Sequence, residues 1–187
     1  LQKKYPPKKK LVHLLKKKPS QHENPNAIPF SYDDYDITWD NELQRPKGMV
    51  TWDYWFAVDE EKEEYHAFYL QFPKSMADDK EKRELRHKHQ AVGHAISKDL
   101  KTWRTVKDAL RPIPGTFNDI GIATASVVKR VEDGKWIMLF TSKGSHGRGL
   151  VPAISDDLID WEKMPQHELP LSRLFKAEWQ GKMYEGQ

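Results

Sequence analysis

One aspartate, Asp53, lies inside an aromatic stretch of the sequence, between Trp52 and the run Tyr54-Trp55-Phe56. Aromatic neighbours withdraw water from a carboxylate unless a polar group faces it. A carboxylate in such a setting can act as a nucleophile or as a base. The alternative is a structural role, in which the aspartate stabilises a turn at the end of a strand. Asp53 is therefore the first candidate catalytic residue.

Three histidines, His87, His89 and His94, suggest a zinc site, because His87 and His89 would alternate to one face of a strand. No later histidine or carboxylate has the spacing that would complete such a site. The sequence contains no cysteine, which excludes disulfides, thiolate catalysis and cysteine metal ligands. We therefore expect neither a metal nor a cofactor.

Strands have to position Asp53. The segments Trp52–Val58 and Tyr65–Gln71 are rich in aromatic and apolar residues and short enough to be strands, and an acidic turn separates them. A charged loop over residues 72–86 leads to a further strand-like run, which ends in the turn Ser97–Leu100. A new strand is expected to begin at Trp103.

The sequence then repeats itself. Ala95–Trp103 reads Ala-Ile-Ser-Lys-Asp-Leu-Lys-Thr-Trp, and Ala153–Trp161 reads Ala-Ile-Ser-Asp-Asp-Leu-Ile-Asp-Trp, with six of nine positions identical. Two strand-like segments precede each copy, and those before the second are Ala123–Val131 and Lys135–Thr141. Four-stranded units with a period above about forty residues are typical of a β-propeller. The alternative is a β-sandwich that arose by duplication of one motif.

The combination of motifs resembles the β-fructosidases of the invertase and levanase type. Asp53, a strand and then Tyr-His-Ala-Phe-Tyr-Leu-Gln are similar to their Asn-Asp-Pro-Asn-Gly…Tyr-His-Leu-Phe-Tyr-Gln opening. Gly93–Trp103 is similar to their Gly-His-Ala-x-Ser-x-Asp-Leu-x-x-Trp. The run Trp52–Trp55 is closer to the Trp-Asp-Ser-Trp of levansucrases. The resemblance, to glycoside hydrolase families 32 and 68 and the related family 43, covers about residues 50–165.

This resemblance implies an all-β, five-bladed β-propeller with a central acidic pocket, of which the chain supplies about two blades. It also implies a glycosidase or transglycosylase for fructosides or similar furanosides that uses three carboxylates. One is an aspartate nucleophile or base on the first blade, another an aspartate in an Arg-Asp-Pro motif, and the third a glutamate acid on a later blade. Asp53 matches the first of these.

The sequence also departs from the family pattern. It has no Arg-Asp-Pro, and no Pro-Asn-Gly follows Asp53. We therefore expect the other two carboxylates to lie beyond Gln187. The missing blades are expected to come from the rest of the chain or from a partner chain.

Several side chains are predicted to bind an oligosaccharide or polysaccharide substrate. Trp52 and Trp55 have faces on which a sugar ring can stack, although tryptophans in a propeller are also common in the core. The polar candidates lie at a strand end, in the Gly-His-Ala motif, or where the resembling enzymes present Phe-Ser-Gly-Ser-Ala: Gln71, His94, Asp119, Thr124 and Ser126.

The charge is distributed unevenly along the chain. Eight lysines precede the first acid, Glu23. Without them, 23 of the 31 Lys and Arg residues remain, compared with 28 Asp and Glu residues. The body of the protein is therefore mildly acidic, which argues against nucleic-acid binding. No run of apolar residues is long enough for a membrane span. We accordingly predict no nucleic-acid or membrane partner for the main domain.

The domain organisation follows from the prolines. Residues 1–30 hold five of the twelve prolines, so they are predicted to form an extended Lys/Pro-rich arm, and residues 31–187 the propeller part. Deleting residues 1–18 should leave stability unchanged if the arm is solvated. Two alternative functions remain open: a non-catalytic carbohydrate-binding propeller, and an interaction propeller whose lysine arm binds a polyanion.

Overall fold

The computed structural model describes residues 38–42, 44–113, 115–118, 120–144, 147–170, 176–179 and 182–185. The predicted arm and the candidate Asp119 lie outside these residues. The described part consists mainly of antiparallel β-strands. It contains two single-turn α-helices, α1 (Lys74–Asp78) and α2 (Arg86–His89), and 3-10 turns at Arg83–Leu85 and Pro165–His167. No described helix has the length and hydropathy needed to cross a bilayer.

The first half of the described chain forms one four-stranded sheet, called sheet 1. A small hairpin of β1 (Trp39–Asp40) and β2 (Arg45–Pro46) precedes it. The strands of sheet 1 follow chain order: β3 (Met49–Asp59), β4 (Glu64–Pro73), β5 (Ala91–Ser97) and β6 (Arg104–Thr105). Strands β4 and β5 are buried over most of their length, which explains their nearly continuous apolar sequence. The predicted strands and the acidic hairpin are confirmed.

The second half forms an equivalent sheet, called sheet 2. Its strands again follow chain order: β7 (Gly121–Lys129), β8 (Trp136–Gly144), β9 (Gly147–Ser155) and β10 (Glu162–Lys163). A short strand, β11 (Leu169–Pro170), pairs with the start of β9, and β12 (Lys176–Trp179) and β13 (Lys182–Glu185) form a separate hairpin. The strands predicted around the second copy of the repeat are therefore present.

The two sheets pack against each other through one face of each. Side chains from both sheets share a single buried cluster that includes Trp55, Phe68, Leu70, Val92, Ile122, Trp136, Met138, Phe140, Val151 and Leu158. Burying a side chain of this size stabilises a fold by about 1.5–3 kcal/mol. The main core therefore lies between the sheets and holds their inner strands, β3 and β7, side by side.

Each sheet has the same turn, called the corner, between its third and fourth strands, at Ser97–Trp103 in sheet 1 and at Ser155–Trp161 in sheet 2. In the first corner, Ser97 Oγ accepts a hydrogen bond from the backbone N–H of Leu100 at 2.8 Å. The carboxylate of Asp99 accepts one from the backbone N–H of Thr102 at 2.7 Å, and backbone hydrogen bonds lower the pKa of Asp99 to about 2. Leu100 has a φ of +60°, and its carbonyl accepts a hydrogen bond from the indole of Trp103.

The second corner has the same bonds. Ser155 Oγ accepts from the backbone N–H of Leu158 at 2.9 Å, and Asp157 accepts from that of Asp160 at 2.8 Å. Leu158 has a φ of +68°, and its carbonyl accepts from the indole of Trp161 at 2.9 Å. The repeat in the sequence is therefore a repeat of structure, in which side-chain oxygens replace the missing backbone partners of a tight turn.

Candidate active site at the inner strands

Strand β3 carries Asp53 in a β-bulge. The ladder between β3 and β4 shifts register between Trp52 and Trp55, so that Asp53 and Tyr54 together face the single residue Tyr69. Asp53 has a φ of +50°, in the left-handed region that aspartate tolerates better than most residues. A bulge releases its extra residue from the ladder and redirects the side chain. Asp53 is therefore turned out of the alternating pattern of its strand, and it is exposed.

Strand β7 has a bulge of its own. Its ladder with β8 shifts between Ala123 and Ala125, which leaves Thr124 as the extra residue. The strand pairings, counted back from the two corners, place Thr124 in sheet 2 where Asp53 stands in sheet 1. The inner strands thus carry a carboxylate and a hydroxyl at the same position of the repeated unit.

These two side chains meet. The hydroxyl of Thr124 donates a hydrogen bond to Oδ2 of Asp53 at 2.5 Å, although the residues are 71 positions apart in sequence. This bond holds the carboxylate in one orientation across the boundary between the sheets. Among the described residues it is the only hydrogen bond to the side chain of Asp53, and the residue is exposed.

Aromatic rings surround the bulge in sheet 1. Trp52 is half-buried against the shared core, and the ring of Tyr54 lies 5.3 Å from that of Tyr69. The hydroxyl of Tyr54 donates to Thr51 Oγ1 at 2.7 Å, and burial raises the pKa of Tyr54. An exposed carboxylate beside aromatic surface, with a second hydroxyl on Ser126 farther along β7, is a chemically reasonable place for a sugar.

Three predicted substrate ligands are not part of this contact. Trp55 is buried and stacks on Phe68 with ring centroids 6.2 Å apart, so its ring belongs to the core. Gln71 and His94 are fully buried. Each of these two polar side chains is engaged in a separate interaction inside sheet 1.

The side chain of Gln71 is held by a carboxylate. Its amide donates to Asp108 Oδ1 at 2.6 Å, and Arg111 Nε donates to Oδ2 of the same carboxylate at 2.9 Å. Asp108 and Arg111 were not among the candidate residues predicted from the sequence. Both lie in the connection between the repeats, where no periodicity marks them, so only the folded chain shows that they meet Gln71.

The side chain of His94 is paired with another histidine. Its Nε2 lies 2.9 Å from Nδ1 of His66 on the neighbouring strand. Desolvation lowers the pKa of both imidazoles. In sheet 1 they are therefore neutral interior groups at neutral pH.

The structure corrects the geometry assumed for the histidines near residue 90. His87 and His89 lie on helix α2, not on a strand, and so they do not alternate to one face as a strand would require. Residues of the basic stretch Arg86–His89 form this turn just before β5. Within the described ranges, no group of three histidine, aspartate or glutamate side chains is placed to hold a metal ion.

The comparison with known families decides what the repeated sheets are. The N-terminal domain of glycosyl hydrolases family 32 matches residues 57–173. The chain belongs to glycosyl hydrolase family 32. The match includes both corners and Thr124, and it begins after Asp53. No curated protein matches the chain.

Solved structures support the fold of this family 32 chain. A β-fructofuranosidase from Schwanniomyces occidentalis complexed with fructosyl-erythritol is 16% identical, with a TM-score of 0.52 over 65% of this chain and 24% of that chain. Fructan 1-exohydrolase IIa from Cichorium intybus is 18% identical, with a TM-score of 0.52 over 76% of this chain and 25% of that chain. The family 32 chain thus spans about a quarter of the length of these relatives in structure.

The predicted fold is confirmed by these findings. The structural relatives are five-bladed β-propeller glycoside hydrolases, and the described chain supplies about two blades of such a propeller. Sheets 1 and 2 are these blades, and β3 and β7 are the first strands of each. The sandwich alternative is therefore excluded.

Proposed function

We propose that this family 32 chain is part of a glycosidase that cleaves fructosides or similar furanosides, with Asp53 as the nucleophile or base. The observation that supports this most directly is the contact between the two bulges. It presents an exposed carboxylate, oriented by Thr124, on the first strand of a blade. The first strands of propeller blades line the central channel, where the substrate of such an enzyme binds.

The chemistry requires at least one more carboxylate. One group attacks the anomeric carbon or activates water, and another protonates the leaving oxygen. The two lie about 5–5.5 Å apart in retaining enzymes and about 6.5–9.5 Å apart in inverting ones. Asp53 can serve as the first group, since Oδ2 is held by Thr124 and Oδ1 has no hydrogen-bond partner among the described residues. We propose that the acid and the stabilising aspartate are supplied by blades outside the described residues.

The substrate contacts we propose follow from the same position. Trp52 and Ser126 lie on the two inner strands with Asp53 and Thr124, and they can contribute a stacking surface and a hydroxyl. Gln71 and His94 are enclosed in sheet 1, so we propose that they act on substrate binding only by supporting the strands around the bulge. Trp55 supports β3 in the same indirect way, through the core.

Further blades are proposed as the partners of this chain. Each sheet has one face that no described residue of the other sheet covers, and these faces expose Phe56 and Val58 on sheet 1 and Val128 on sheet 2. Exposed apolar patches of this kind on a sheet face are sites for a further layer of structure. The source is either the rest of the same protein or a partner chain.

The test of the catalytic role is Asp53→Asn in the complete, active protein. Asparagine keeps the shape but lacks the negative charge that attacks or stabilises the reacting carbon, so turnover should fall by several orders of magnitude. Folding and sugar binding should be nearly unchanged. Turnover is measured as fructose released from sucrose and from an inulin-type oligosaccharide, and as arabinose released from a nitrophenyl arabinofuranoside.

The matched control is Asp133→Asn, which removes an exposed carboxylate in the hairpin between β7 and β8, where Asp133 pairs with Arg130. This variant should keep normal turnover. If Asp53→Asn retained more than about a tenth of the activity, Asp53 would be a structural aspartate. A complete protein that binds these sugars but releases none from any of them would be a carbohydrate-binding propeller instead.

A further inference from the structure

Two buried histidines lie at the face of sheet 1 that packs on sheet 2. His66 on β4 and His94 on β5 have no exposed surface, and their rings stack with centroids 5.1 Å apart. Phe68 stacks on His94 at 4.3 Å and meets Trp161 of the second corner edge-on at 5.9 Å. The histidine pair is therefore built into the contact between the two sheets.

Neutral rings are the protonation state that the surroundings of this pair favour. Two neutral imidazoles carry two N–H protons, and one of these lies in the 2.9 Å bond between His66 Nδ1 and His94 Nε2. The outward nitrogens, His66 Nε2 and His94 Nδ1, have no hydrogen-bond partner in the described part of the chain. An added proton would therefore create a buried cation with no acceptor within hydrogen-bond distance of its outward nitrogen, which is unfavourable.

Charged groups on the neighbouring elements shift the pKa of both histidines, but burial has the larger effect. Desolvation is the largest influence on the pKa of each histidine and lowers it. Arg104 on β6 also lowers the pKa of both. The acidic neighbours act in the opposite sense.

Those acidic neighbours come from three places. Glu64 at the start of β4 has a carboxylate oxygen 3.9 Å from His66 Nε2, and Asp59 belongs to the hairpin before it, together with Lys62, which opposes it. Asp157 of the second corner raises the pKa of His94, so it acts across the boundary between the sheets. Protonated rings would thus be attracted to carboxylates with which they form no hydrogen bond in the native structure.

We propose that the pair of His66 and His94 makes the contact between sheets 1 and 2 sensitive to acid. While both rings are neutral they are part of the core. When they take up protons, the sheets separate along the contact between Phe68 and Trp161, and the imidazolium groups gain water and the nearby carboxylates. Acid would then also loosen the contact between Asp53 and Thr124, which spans the same boundary.

The direction of the pH dependence follows from the protons bound in each state. Opened or unfolded chain binds protons with the ordinary histidine pKa of about 6.5, and the native pair binds them only at lower pH. The stabilising effect is therefore complete above about pH 6.5 and is lost as the pH falls below that value. With two histidines, the unfolding equilibrium constant rises by up to about a hundredfold per pH unit.

The experiment is urea unfolding of the 187-residue chain at several pH values between 5 and 8, with His94→Gln as the test variant. Glutamine keeps a hydrogen-bonding group next to His66 and cannot be protonated. It should reduce the pH dependence to at most about tenfold per unit. The control is His167→Gln at an exposed position, which should leave the pH dependence as in the wild type. An unchanged slope in His94→Gln would overturn the proposal.

A second measurement does not depend on any variant folding. NMR of the wild-type chain with labelled histidine should show His66 and His94 keeping neutral shifts until the sheets open. Hydrogen exchange at pH 5 should show loss of protection first in β5 and the second corner. Reversible titration of the pair near pH 6.5 in the closed protein would overturn the proposal, and so would a uniform loss of protection.

Discussion

The two corners of this protein have the same sequence pattern and the same hydrogen bonds, yet they differ in burial. Leu100 and Leu158 are both in the left-handed region, and each accepts the indole bond of its own tryptophan. Leu100 is 53% exposed, whereas Leu158 has no exposed surface. The shape of the turn is therefore set by the serine and aspartate within it, and its burial by whichever sheet lies beside it.

The same contrast extends along the sheets. Phe56 in sheet 1 and Val127 in sheet 2 occupy corresponding positions of the ladders. Phe56 is 58% exposed, whereas Val127 packs against the shared core because sheet 1 covers that face of sheet 2. Sheet 2 thus shows the repeated unit with a neighbouring sheet on that face, and sheet 1 shows the repeated unit without one.

The largest effect is expected at the corner tryptophans. Trp103→Ala and Trp161→Ala should each lower the free energy of unfolding by about 3–5 kcal/mol, because each removes a large ring packed on aromatic neighbours. Chemical denaturation measures both. As a control, Trp161→Phe keeps a ring against Phe68 and loses only the indole bond to Leu158, at a cost of about 1 kcal/mol. If alanine at either site cost less than the phenylalanine control, the two corners would not be equivalent.

A smaller but sharper difference is expected at the two leucines. Leu158→Ala should cost about 2–5 kcal/mol, since it leaves a cavity between the sheets. Leu100→Ala should change stability by less than about 0.5 kcal/mol, because little surface is buried there. Urea midpoints of the two variants provide the comparison. Equal costs at both positions would mean that the environment of sheet 1 resembles that of sheet 2.

A small effect in the 187-residue chain is also expected at Phe56. Phe56→Ser should cost less than about 1 kcal/mol in the 187-residue chain, because more than half of the side chain is in water. In the complete protein the same change should cost about 3 kcal/mol or more if another blade covers this face. Thermal unfolding of both forms tests this. An equally small cost in both would show that the face stays uncovered.

Much of the fold could be predicted from the sequence because it depends on local patterns. Aromatic and apolar runs marked the strands around Asp53, and the repeated Ser-x-Asp-Leu-x-x-Trp marked both corners. These signals lie within nine residues, and the bonds that realise them are equally local. The resemblance around Gly93–Trp103 supplied the propeller, which the repeat alone favoured without settling the number of blades.

The candidate site was predictable only in part, because its contacts join distant segments. Asp53 and Thr124 were both candidates, but no pattern indicated that two bulges would bring them together. Gln71 was predicted to bind substrate from a strand end, and it is instead buried, with its amide bonded to Asp108, 37 residues later in the chain. His94 is likewise enclosed by its pairing with His66. A sequence identifies such residue types, but not which buried partner each one finds.

The bulges on the inner strands have one further consequence. Asp53 and Thr124 stand outside the alternation of in-facing and out-facing side chains, so neither side chain takes part in the packing that holds its sheet together. Each copy of the repeated unit therefore has one position, at its bulge, whose side chain is not part of the packing of the sheet. A carboxylate in one copy and a hydroxyl in the next are two uses of that position.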